Sequence, residues 1–379
     1  MQSSSSRPES ALRAVLPGFV ATRLVLFAVA ALAVLRLPLD TNEAQGFHLS
    51  PQPHAFLEAW ARYDACWYVA IAERGYRETV GPSDMRAAFF PLFPALIATV
   101  TPLVRIPLVA GLLVANACYL IFLTLLWRIV RLDWTIDVSR HVLWIYLLFR
   151  SAFFLSGAYS ESLLLMLTAG SVLMVRHRRW LHAGVLAGFA TLSRPIGLVA
   201  VVPILAEYFA TRRGPSGERS WQPLAQGLAP VLVAGVGYLC FAWWAFGDPL
   251  ANLAMETAVR GKLDGPWRPF VEMWRAGPRL HVFNNSLVDA TLAATAIATL
   301  PAIFTKVRPS YGWYALLVVL IPVSGSLMSF NRLLLPSFPH AILLARAMNR
   351  TSTTAFLLVP LGLLEAVLTA TFATWHWVA

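Results

Sequence analysis

The chain has 379 residues, of which 58% are hydrophobic and only 13% are charged, and its mean hydropathy is +0.63. Soluble domains carry about 25% charged residues, so this composition excludes an ordinary soluble protein and predicts an all-α polytopic membrane protein. The net charge of +11 does not indicate nucleic-acid binding, because the basic residues gather in short loops between apolar runs, where orientation in a membrane requires them.

Little length is left over for a soluble domain, so we expect one transmembrane domain over residues 1–379. Almost all basic residues are Arg, with only Lys262 and Lys306 as lysines, and this bias together with the many Ala residues indicates a GC-rich bacterial genome. The polar start lacks a small-residue cleavage site before the first charged loop, so we interpret the first apolar run as an uncleaved anchor. The three cysteines form no disulfide framework, and no Cys/His spacing predicts a metal or cofactor site.

The apolar runs give the predicted spans, because a spanning helix needs about 20 largely apolar residues. They are, in chain order, 17–37, 107–130, 141–157, 160–175, 183–210, 226–246, 286–305, 311–329, 333–347 and 354–375. The sequence Ser193-Arg-Pro195 interrupts the 183–210 run and predicts either one kinked helix or two short ones meeting at Arg194. Counting two there gives about eleven segments. Residues 88–101 are short and rich in proline, and we predict a re-entrant or interfacial piece.

Two polar regions stand out, a first outer loop over 39–87 and a second over 247–285. With the N-terminus inside, the basic residues of the short loops all fall inside: Arg128, Arg131, Arg140, the 176–179 run, Arg212, Arg213, Arg219, Lys306, Arg308, Arg346 and Arg350. Both polar regions and the breaks at 159–161, 194–195 and 331–332 then fall outside. If 88–101 spanned instead, the 176–179 cluster would lie outside, so we prefer the first topology. It predicts a bacterial cytoplasmic membrane protein with its functional residues on the outer face.

The first outer loop contains the most informative stretch, Trp60 to Tyr76. Read at helical period, Leu57, Trp60, Asp64, Tyr68 and Ile71 share one face of a helix on the membrane surface. The one carboxylate on that apolar face is Asp64, which is costly to bury unless it is paired or functional. It is either an interfacial carboxylate paired with Arg62 or Arg74, or a general base that activates a hydroxyl.

Three further ionisable residues interrupt apolar segments. Glu161, in Tyr159-Ser-Glu-Ser162, is either functional or an N-terminal helix charge with Ser160 as the cap. Arg194 requires an anionic partner, which is Asp64, Glu161 or a substrate phosphate, unless it forms a purely structural ion pair. Arg332 poses the same question, or it reaches the interface from a helix end. The apolar stretch Phe89-Phe-Pro-Leu-Phe-Pro94 suits a lipid groove, although ordinary packing explains it equally well.

These motifs, in this order, resemble the PIG-V family, the enzymes that add the second mannose in GPI-anchor synthesis, and their bacterial relatives. Residues 62–76 resemble the family pattern Trp-Asp-x-x-Trp-Tyr-x-x-Ile-Ala-x-x-Gly-Tyr, and Phe89–Pro94, Tyr159–Ser162, Ser193–Gly197 and Arg332 follow in family order. Two positions depart from the family: Tyr63 stands where Trp usually precedes the Asp, and Ile196 stands where Asn often follows Arg-Pro. The second departure bears on sugar and acceptor contacts, and hence on mannose specificity.

The resemblance implies a GT-C fold and an inverting glycosyltransferase that uses a polyprenyl-phosphate sugar, with mannose expected and arabinose or glucose still open. Asp64 would be the catalytic base, and Arg194 and Arg332 would bind the donor phosphate. The expected substrate contacts are Tyr63, Trp67, Tyr68, Tyr159 and Glu161, of which Glu161 and Tyr159 would either orient a sugar or hold Arg194. The expected lipid-groove residues are Phe89, Phe90, Pro91 and Phe93. The acceptor would be a hydroxyl of a glycolipid or glycan, and no cofactor or metal is expected.

A transporter or flippase of lipid-linked sugars is the alternative from another class. Broken helices and intramembrane charges are typical of transporters. Transporters commonly consist of two corresponding halves, however, and the sequence contains no convincing internal repeat. The asymmetric first outer loop, which carries the Asp64 motif, also favours an enzyme.

Overall fold

The computed structural model describes residues 10–40, 54–77, 84–212, 220–279, 286–348 and 351–378, apart from the side chains of residues 55 and 351–355. The expectations for the polar start, Arg213, Arg219 and Arg350 lie outside these residues. The described chain is built from helices, with a single isolated β-bridge between Arg279 and Ser286. The predicted all-α class is therefore confirmed.

The helices follow one another with short connections. They are α1 (Ala11–Arg36), α2 (Ala55–Glu58), α3 (Asp64–Arg74), α4 (Leu92–Val104), α5 (Pro107–Arg131), α6 (Ile136–Leu148), α7 (Glu161–Arg176), α8 (Trp180–Ser193), α9 (Val201–Arg212), α10 (Gln222–Phe246), α11 (Ala251–Arg260), α12 (Arg268–Ala276), α13 (Leu287–Lys306), α14 (Pro309–Val323), α15 (Phe330–Leu333), α16 (Phe338–Ala347) and α17 (Thr351–Ala373).

Six helical segments in the described chain are long and apolar enough to cross a membrane. They are Ala11–Arg36, Pro107–Arg131, Pro195–Arg212, Gln222–Phe246, Leu287–Lys306 and Phe356–Ala373. Shorter apolar helices lie at Leu92–Val104, Trp180–Ser193 and Pro309–Val323. These features define an integral, polytopic membrane protein.

Several predicted segments have different bounds in the structure. The segment predicted over 141–157 is α6, which ends at Leu148, because Phe149 is extended and a separate 3-10 turn follows at Ala152–Leu155. The segment predicted over 333–347 corresponds to α16, which begins only at Phe338, after the separate one-turn helix α15. A helix of 13 residues is about 20 Å long, which is less than the roughly 30 Å of a bilayer core. Neither α6 nor α16 therefore crosses a bilayer core by its own length.

The chain breaks at Arg194 as predicted. Helix α8 ends at Ser193, Arg194 is extended (φ −161°, ψ 154°), and Pro195–Ala200 forms a 3-10 turn that leads into α9. Pro195 lacks an N–H group and disfavours a helical conformation at the residue before it. A side chain at Gly197 would place its Cβ 1.9 Å from the carbonyl oxygen of Ala190, so the tight return of the chain depends on this glycine.

The helix predicted through Leu57, Trp60 and Asp64 is not continuous, and the structure corrects this prediction. Helix α2 ends at Glu58, and α3 begins only at Asp64, after Tyr63 has adopted a positive φ of 50°. Nor does α3 lie on a surface with one apolar face, because every residue from Ala65 to Ile71 is buried. The rings of Trp67 and Tyr68 pack against Phe89, and Tyr68 also packs against Phe93.

Helices α1 and α5 connect two ends of the molecule. At one end, Ala11 and Val15 of α1 share an apolar cluster with Trp127 and Val130 of α5. At the other end, the later residues of α1 and the first turns of α5 share a cluster with Trp60 and Tyr63: Leu26, Ala30, Ala33, Leu108 and Leu112. Asp64 therefore lies near the second end.

Candidate functional site

Four ionisable side chains that are far apart in the sequence meet in one chain of ion pairs. Arg332 Nη2 donates to Asp64 Oδ2 at 2.5 Å, and Arg332 Nε lies 2.5 Å from Glu161 Oε1. Arg194 Nη1 donates to the same Glu161 oxygen at 2.5 Å. The order Asp64–Arg332–Glu161–Arg194 defines what we call the ionic cluster. The sequence singled out each of these residues, and the structure brings all four together.

Each member of the ionic cluster lies at an interruption of the helical structure. Asp64 and Glu161 are the first residues of α3 and α7, Arg194 is the extended residue after α8, and Arg332 lies in the four-residue helix α15. Two of these elements follow a non-glycine residue with positive φ, Tyr63 (50°) before Asp64 and Ser329 (59°) before α15. Such backbone strain is concentrated at functional sites in proteins.

Burial divides the ionic cluster into an accessible end and a buried base. The side chains of Arg332 and Glu161 are 6% and 4% exposed, whereas that of Asp64 is 29% exposed. The guanidinium carbon of Arg332 lies 5.2 Å and 5.1 Å from the ring centroids of Phe154 and Tyr159. Among the four, Asp64 is thus the most accessible to a substrate, and Glu161 is the least.

The ionisation of Asp64 follows from this environment. Burial by itself raises the pKa of the carboxyl group, but the charge and the hydrogen bond of Arg332, together with the charges of Arg194 and Arg260, outweigh it. The pKa of Asp64 is therefore held below its ordinary value. At neutral pH the residue is a carboxylate that can accept a proton.

A cavity of about 170 Å³ lies beside the ionic cluster. Asp64, Arg194 and Arg332 all line it, whereas Glu161 lies beneath, between the two arginines. The remaining lining residues are Tyr63, Trp67, Tyr68, Met85, Ala88, Phe89, Phe90, Ser193, Pro195, Met255, Glu256, Val259, Arg260, Met328, Ser329 and Trp377. The cavity lining therefore combines charged groups with aromatic and apolar side chains.

Only some of the residues expected to contact substrate line this cavity. Tyr63, Trp67 and Tyr68 line it, but Tyr159 is fully buried and its hydroxyl donates to the carbonyl oxygen of Arg62 at 2.7 Å. Glu161 is turned toward the two arginines rather than the cavity. Neither Tyr159 nor Glu161 lines the cavity, and Glu161 pairs with Arg194, which is one of the two roles expected for it. Their contact with a substrate stays a prediction.

The expected lipid-groove residues divide in the same way. Phe89 and Phe90 line the cavity, and Phe90 stacks on Tyr238 with ring centroids 4.1 Å apart. Pro91 and Phe93 do not line it, and Phe93 is fully buried with its ring centroid 5.0 Å from that of Tyr68. Phe93 therefore supports α3 by packing.

Two of the purely structural interpretations made from the sequence are wrong: the pairing of Asp64 with Arg62 and the capping of α7 by the Ser160 side chain. Asp64 is not paired with Arg62, whose Nε donates to the carbonyl oxygen of Ala373 while its guanidinium carbon lies 4.4 Å from the Trp375 ring centroid. Ser160 does not cap α7 with its side chain. Its hydroxyl is instead 2.6 Å from the hydroxyl of Tyr68 and accepts a 3.4 Å hydrogen bond from Arg194 Nη1.

Sequence reasoning missed the contribution of α11, in the second polar region. Met255, Glu256, Val259 and Arg260 all line the cavity, and Arg260 Nη1 donates to the carbonyl oxygen of Met328 at 2.9 Å. Arg260 Nε also lies 3.1 Å from Glu256. In the sequence, Glu256 and Arg260 look like an ordinary i, i+4 pair on a helix surface, so no local signal distinguished them.

The cavity presents three guanidinium groups, those of Arg194, Arg260 and Arg332, to any bound molecule. Within the described residues, no group of three or more His, Cys, Asp or Glu side chains is arranged to hold a metal ion. The arrangement can bind an anion through arginine and accept a proton at Asp64.

The fold and the site together define a polytopic membrane protein with a buried, arginine-rich ionic cluster at a cavity. A comparison with protein-family models found no match, and comparisons with curated proteins and with solved structures found none either. A function for this chain therefore has to be argued from its own residues.

Proposed function

We propose that this protein is an inverting glycosyltransferase of the GT-C type, related to the PIG-V family. It would move a mannose, or a related sugar, from a polyprenyl-phosphate donor to a hydroxyl of a glycolipid or glycan on the outer face of a bacterial cytoplasmic membrane. The observation that carries the proposal is the ionic cluster itself. An accessible carboxylate, Asp64, lies beside two arginines that line the same cavity, Arg194 and Arg332.

In the proposed reaction Asp64 takes the proton of the acceptor hydroxyl as that oxygen attacks the anomeric carbon. A new bond forms between the acceptor oxygen and this carbon, and the bond from the carbon to the phosphate oxygen breaks on the opposite face. The leaving polyprenyl phosphate carries the developing negative charge, which Arg194 and Arg332 stabilise through charge-assisted hydrogen bonds. Because both guanidinium groups are anchored by Glu161, little reorganisation is required of them.

Arg332 couples donor binding to the strength of the base. In the free protein its guanidinium group bonds to Asp64 and lowers the pKa of that carboxyl group. A donor phosphate that accepts hydrogen bonds from Arg332 shares this guanidinium group with Asp64 and adds a negative charge beside it, and the pKa of Asp64 then rises. A carboxylate with a higher pKa is a better proton acceptor, so the base becomes stronger when the donor is in place.

The apolar part of the cavity suits the lipid of such a donor. Phe89, Phe90 and Met85 lie in the same cavity as the arginines, so a polyprenyl chain can leave the phosphate along an apolar surface. A lipid donor also fits chemistry on the outer face, because the lipid carries the sugar across the membrane.

The test is transfer from radiolabelled polyprenyl-phosphate mannose to membrane extracts by purified protein, beside the Asp64→Asn variant. Asparagine keeps the size of the side chain and removes the base, so we expect a loss of about 100-fold or more in transfer, within the range for general-base catalysis. Asp264→Asn is the matched control, because the ion pair of Asp264 is solvent-exposed and its side chain is 55% exposed. Transfer by this variant should be unchanged.

Equal transfer by wild type and Asp64→Asn would support a glycosyltransferase but contradict the role of Asp64 as its base. Transfer only from polyprenyl-phosphate arabinose or glucose would change the assigned sugar and still support a glycosyltransferase. A transporter or flippase of lipid-linked sugars is the second candidate, favoured by the break at Arg194 next to a long apolar helix. It would show no transfer from any donor but would move labelled donor across the bilayer of reconstituted vesicles.

A further inference from the structure

A second charged cavity lies at the opposite end of α1 and α5 from the ionic cluster. It has a volume of about 720 Å³. Its lining residues are Ala11, Trp127, Arg128, Arg131, Leu132, Leu173, Met174, His177 and Arg179. We call it the basic pocket. The proposed glycosyl transfer uses none of these residues.

The charge of the basic pocket is of one sign. Arg128, Arg131 and Arg179 line it, and within the part of the chain that the structure describes no Asp or Glu is among the lining residues. Asp133 lies two residues after the end of α5, but both of its carboxylate oxygens accept from Arg176, at 2.7 Å and 2.8 Å. That carboxylate is therefore already neutralised by an arginine outside the pocket lining. The pocket presents net positive charge that a bound anion would offset.

The basic pocket lies at the ends of spanning helices, which is the level of the lipid headgroups in a membrane. Two of the segments long enough to span, Ala11–Arg36 and Pro107–Arg131, have one end here, since Ala11 begins the first and Arg131 ends the second. The ends of spanning helices lie at the membrane–water boundary. Arg128, Arg131 and Arg179 are exposed at this boundary.

The apolar lining distinguishes a lipid from a free anion. Trp127 and Leu173 line the pocket and are nearly fully buried, and Leu132, which also lines it, is 40% exposed. A lining that combines aromatic and aliphatic side chains with three arginines matches a molecule with an anionic head and an apolar tail. A small inorganic anion would use only the arginines and leave this apolar surface unpaired.

From this geometry we infer that the basic pocket is a binding site for an anionic phospholipid. The phosphodiester group would lie among Arg128, Arg131 and Arg179, and the acyl chains would follow the apolar surface toward Trp127 and Leu173. Because the pocket and the ionic cluster lie at opposite ends of α1 and α5, such a lipid would be bound in the leaflet opposite the candidate active site. It is therefore not a substrate of that site.

The test is a titration of the purified full-length protein with phosphatidylglycerol and, in parallel, with phosphatidylcholine, followed by native mass spectrometry. We expect phosphatidylglycerol to bind wild type roughly ten-fold or more tightly than phosphatidylcholine, since each arginine near a membrane surface contributes about a kcal/mol toward an anionic lipid. The variant Arg128→Gln/Arg131→Gln/Arg179→Gln should lose this preference.

The matched control is Arg140→Gln/Lys306→Gln/Arg346→Gln, which also removes three exposed positive charges from the predicted inner face but changes neither a lining residue nor a chain neighbour of one. It should keep the wild-type preference within about two-fold, because charge outside the pocket makes no contact with the bound head. Equal loss of the preference for phosphatidylglycerol in both triple variants would contradict a specific site and indicate general attraction to the charged surface. Displacement of the bound lipid by millimolar inorganic phosphate would contradict a lipid site and indicate a site for a free anion. Neither readout depends on sugar transfer.

Discussion

Arg332 contacts two carboxylates at once, which makes it the central residue of the ionic cluster. It donates to Asp64 through Nη2 and lies against Glu161 through Nε, while its guanidinium plane meets two aromatic rings. Such a group is expensive to desolvate and is held only if its partners remain ionised. The behaviour of Asp64 is therefore a property of Arg332 as much as of its own burial.

Removal of the Arg332 charge should move the pH dependence of the reaction. Arg332 and its neighbours hold the pKa of Asp64 below its ordinary value against the effect of burial. In Arg332→Gln burial is less opposed, so the pKa of Asp64 rises and the acidic limb of the kcat/KM profile moves to higher pH. A pH series on wild type and variant measures this shift. Arg268→Gln, an exposed helix-surface arginine, should leave the limb in place, and an unmoved limb in Arg332→Gln would remove Asp64 from the role of base.

Glu161 is the shared counter-ion of Arg332, which is buried, and of Arg194, which is partly buried. Its Oε1 lies 2.5 Å from both Arg194 and Arg332, and its side chain is only 4% exposed. Replacement by Gln leaves two guanidinium groups without their shared counter-ion. Breaking a buried pair in this way costs about 3–5 kcal/mol, so Glu161→Gln should unfold at a clearly lower temperature in detergent.

Asp137→Asn is the matched comparison for that stability measurement. Asp137 pairs with Arg140 at 3.7 Å on the surface, with its side chain 73% exposed. Exposed pairs contribute about 0–1 kcal/mol, so this variant should melt close to wild type. A similar melting temperature for both variants would mean that Glu161 does not hold the arginines together.

At the scale of the elements, the candidate site is built where helices begin or end. Each of the four members of the ionic cluster lies at a helix end or in a one-turn helix, so the breaks in regular structure bring these side chains together. The break with the clearest cause is the one at Arg194. Pro195 prevents α8 from continuing, and Gly197 allows the chain to pass directly against the backbone of Ala190.

Gly197 gives a direct test of this geometry. In Gly197→Ala the new Cβ would stand 1.9 Å from the carbonyl oxygen of Ala190, a backbone atom that cannot rotate away. The turn must shift, and Arg194 shifts with it. We expect a loss of transfer of about ten-fold or more, in line with the cost of a misplacement of about 1 Å, together with lower thermal stability.

Gly235→Ala is the control that separates this clash from the general effect of the substitution. Gly235 lies inside α10, and a Cβ added there would meet no neighbouring side chain or other helix within 4 Å. Alanine favours a helix interior by roughly 1 kcal/mol over glycine, so this variant should be as stable as wild type or more so. If Gly197→Ala also kept full transfer and stability, the close approach at Ala190 would not be needed to place Arg194.

The sequence identified the members of the ionic cluster and named Asp64 and Glu161 as candidate partners of Arg194, but it did not decide between them. Asp64, Glu161, Arg194 and Arg332 stood out because an ionised group in or beside an apolar run is costly. The pairing of Asp64 with Arg332 joins residues 268 positions apart, and nothing local fixes a contact of that range. Arg260 was not predicted because it lies in a polar stretch, where an arginine does not by itself indicate a functional site.

The length of the apolar runs explains which elements were predicted well. Long runs such as Pro107–Arg131 and Gln222–Phe246 are apolar throughout, and their helices have nearly the predicted bounds. The short stretch from Leu57 to Ile71 fits a helical period, but the structure divides it at Tyr63 because tertiary packing places Trp60 and Trp67 in different apolar clusters. Periodicity alone does not reveal such a division.

At the scale of the whole molecule, the ionic cluster and the basic pocket lie at opposite ends of α1 and α5. Helix α7 repeats this polarity, because Glu161 begins it at the ionic cluster and Arg176 ends it beside the basic pocket. If the basic end faces the cytoplasm, as the positive-inside rule requires, the candidate active site faces outward. The proposed donor depends on that orientation, since a polyprenyl-phosphate sugar is presented at the outer face.

Thiol labelling of intact cells tests the orientation. In a background with Cys66, Cys118 and Cys240 replaced by Ser, Asp248→Cys places a thiol in the exposed turn after α10, and Arg178→Cys places one in the exposed turn before α8. A membrane-impermeant maleimide should label the Asp248→Cys variant in intact cells, and the Arg178→Cys variant only after permeabilisation. The two positions control for each other, because both turns are solvent-exposed. The reversed pattern would place the ionic cluster at the cytoplasmic face, where nucleotide sugars are available, and would contradict a polyprenyl-phosphate donor at the outer face.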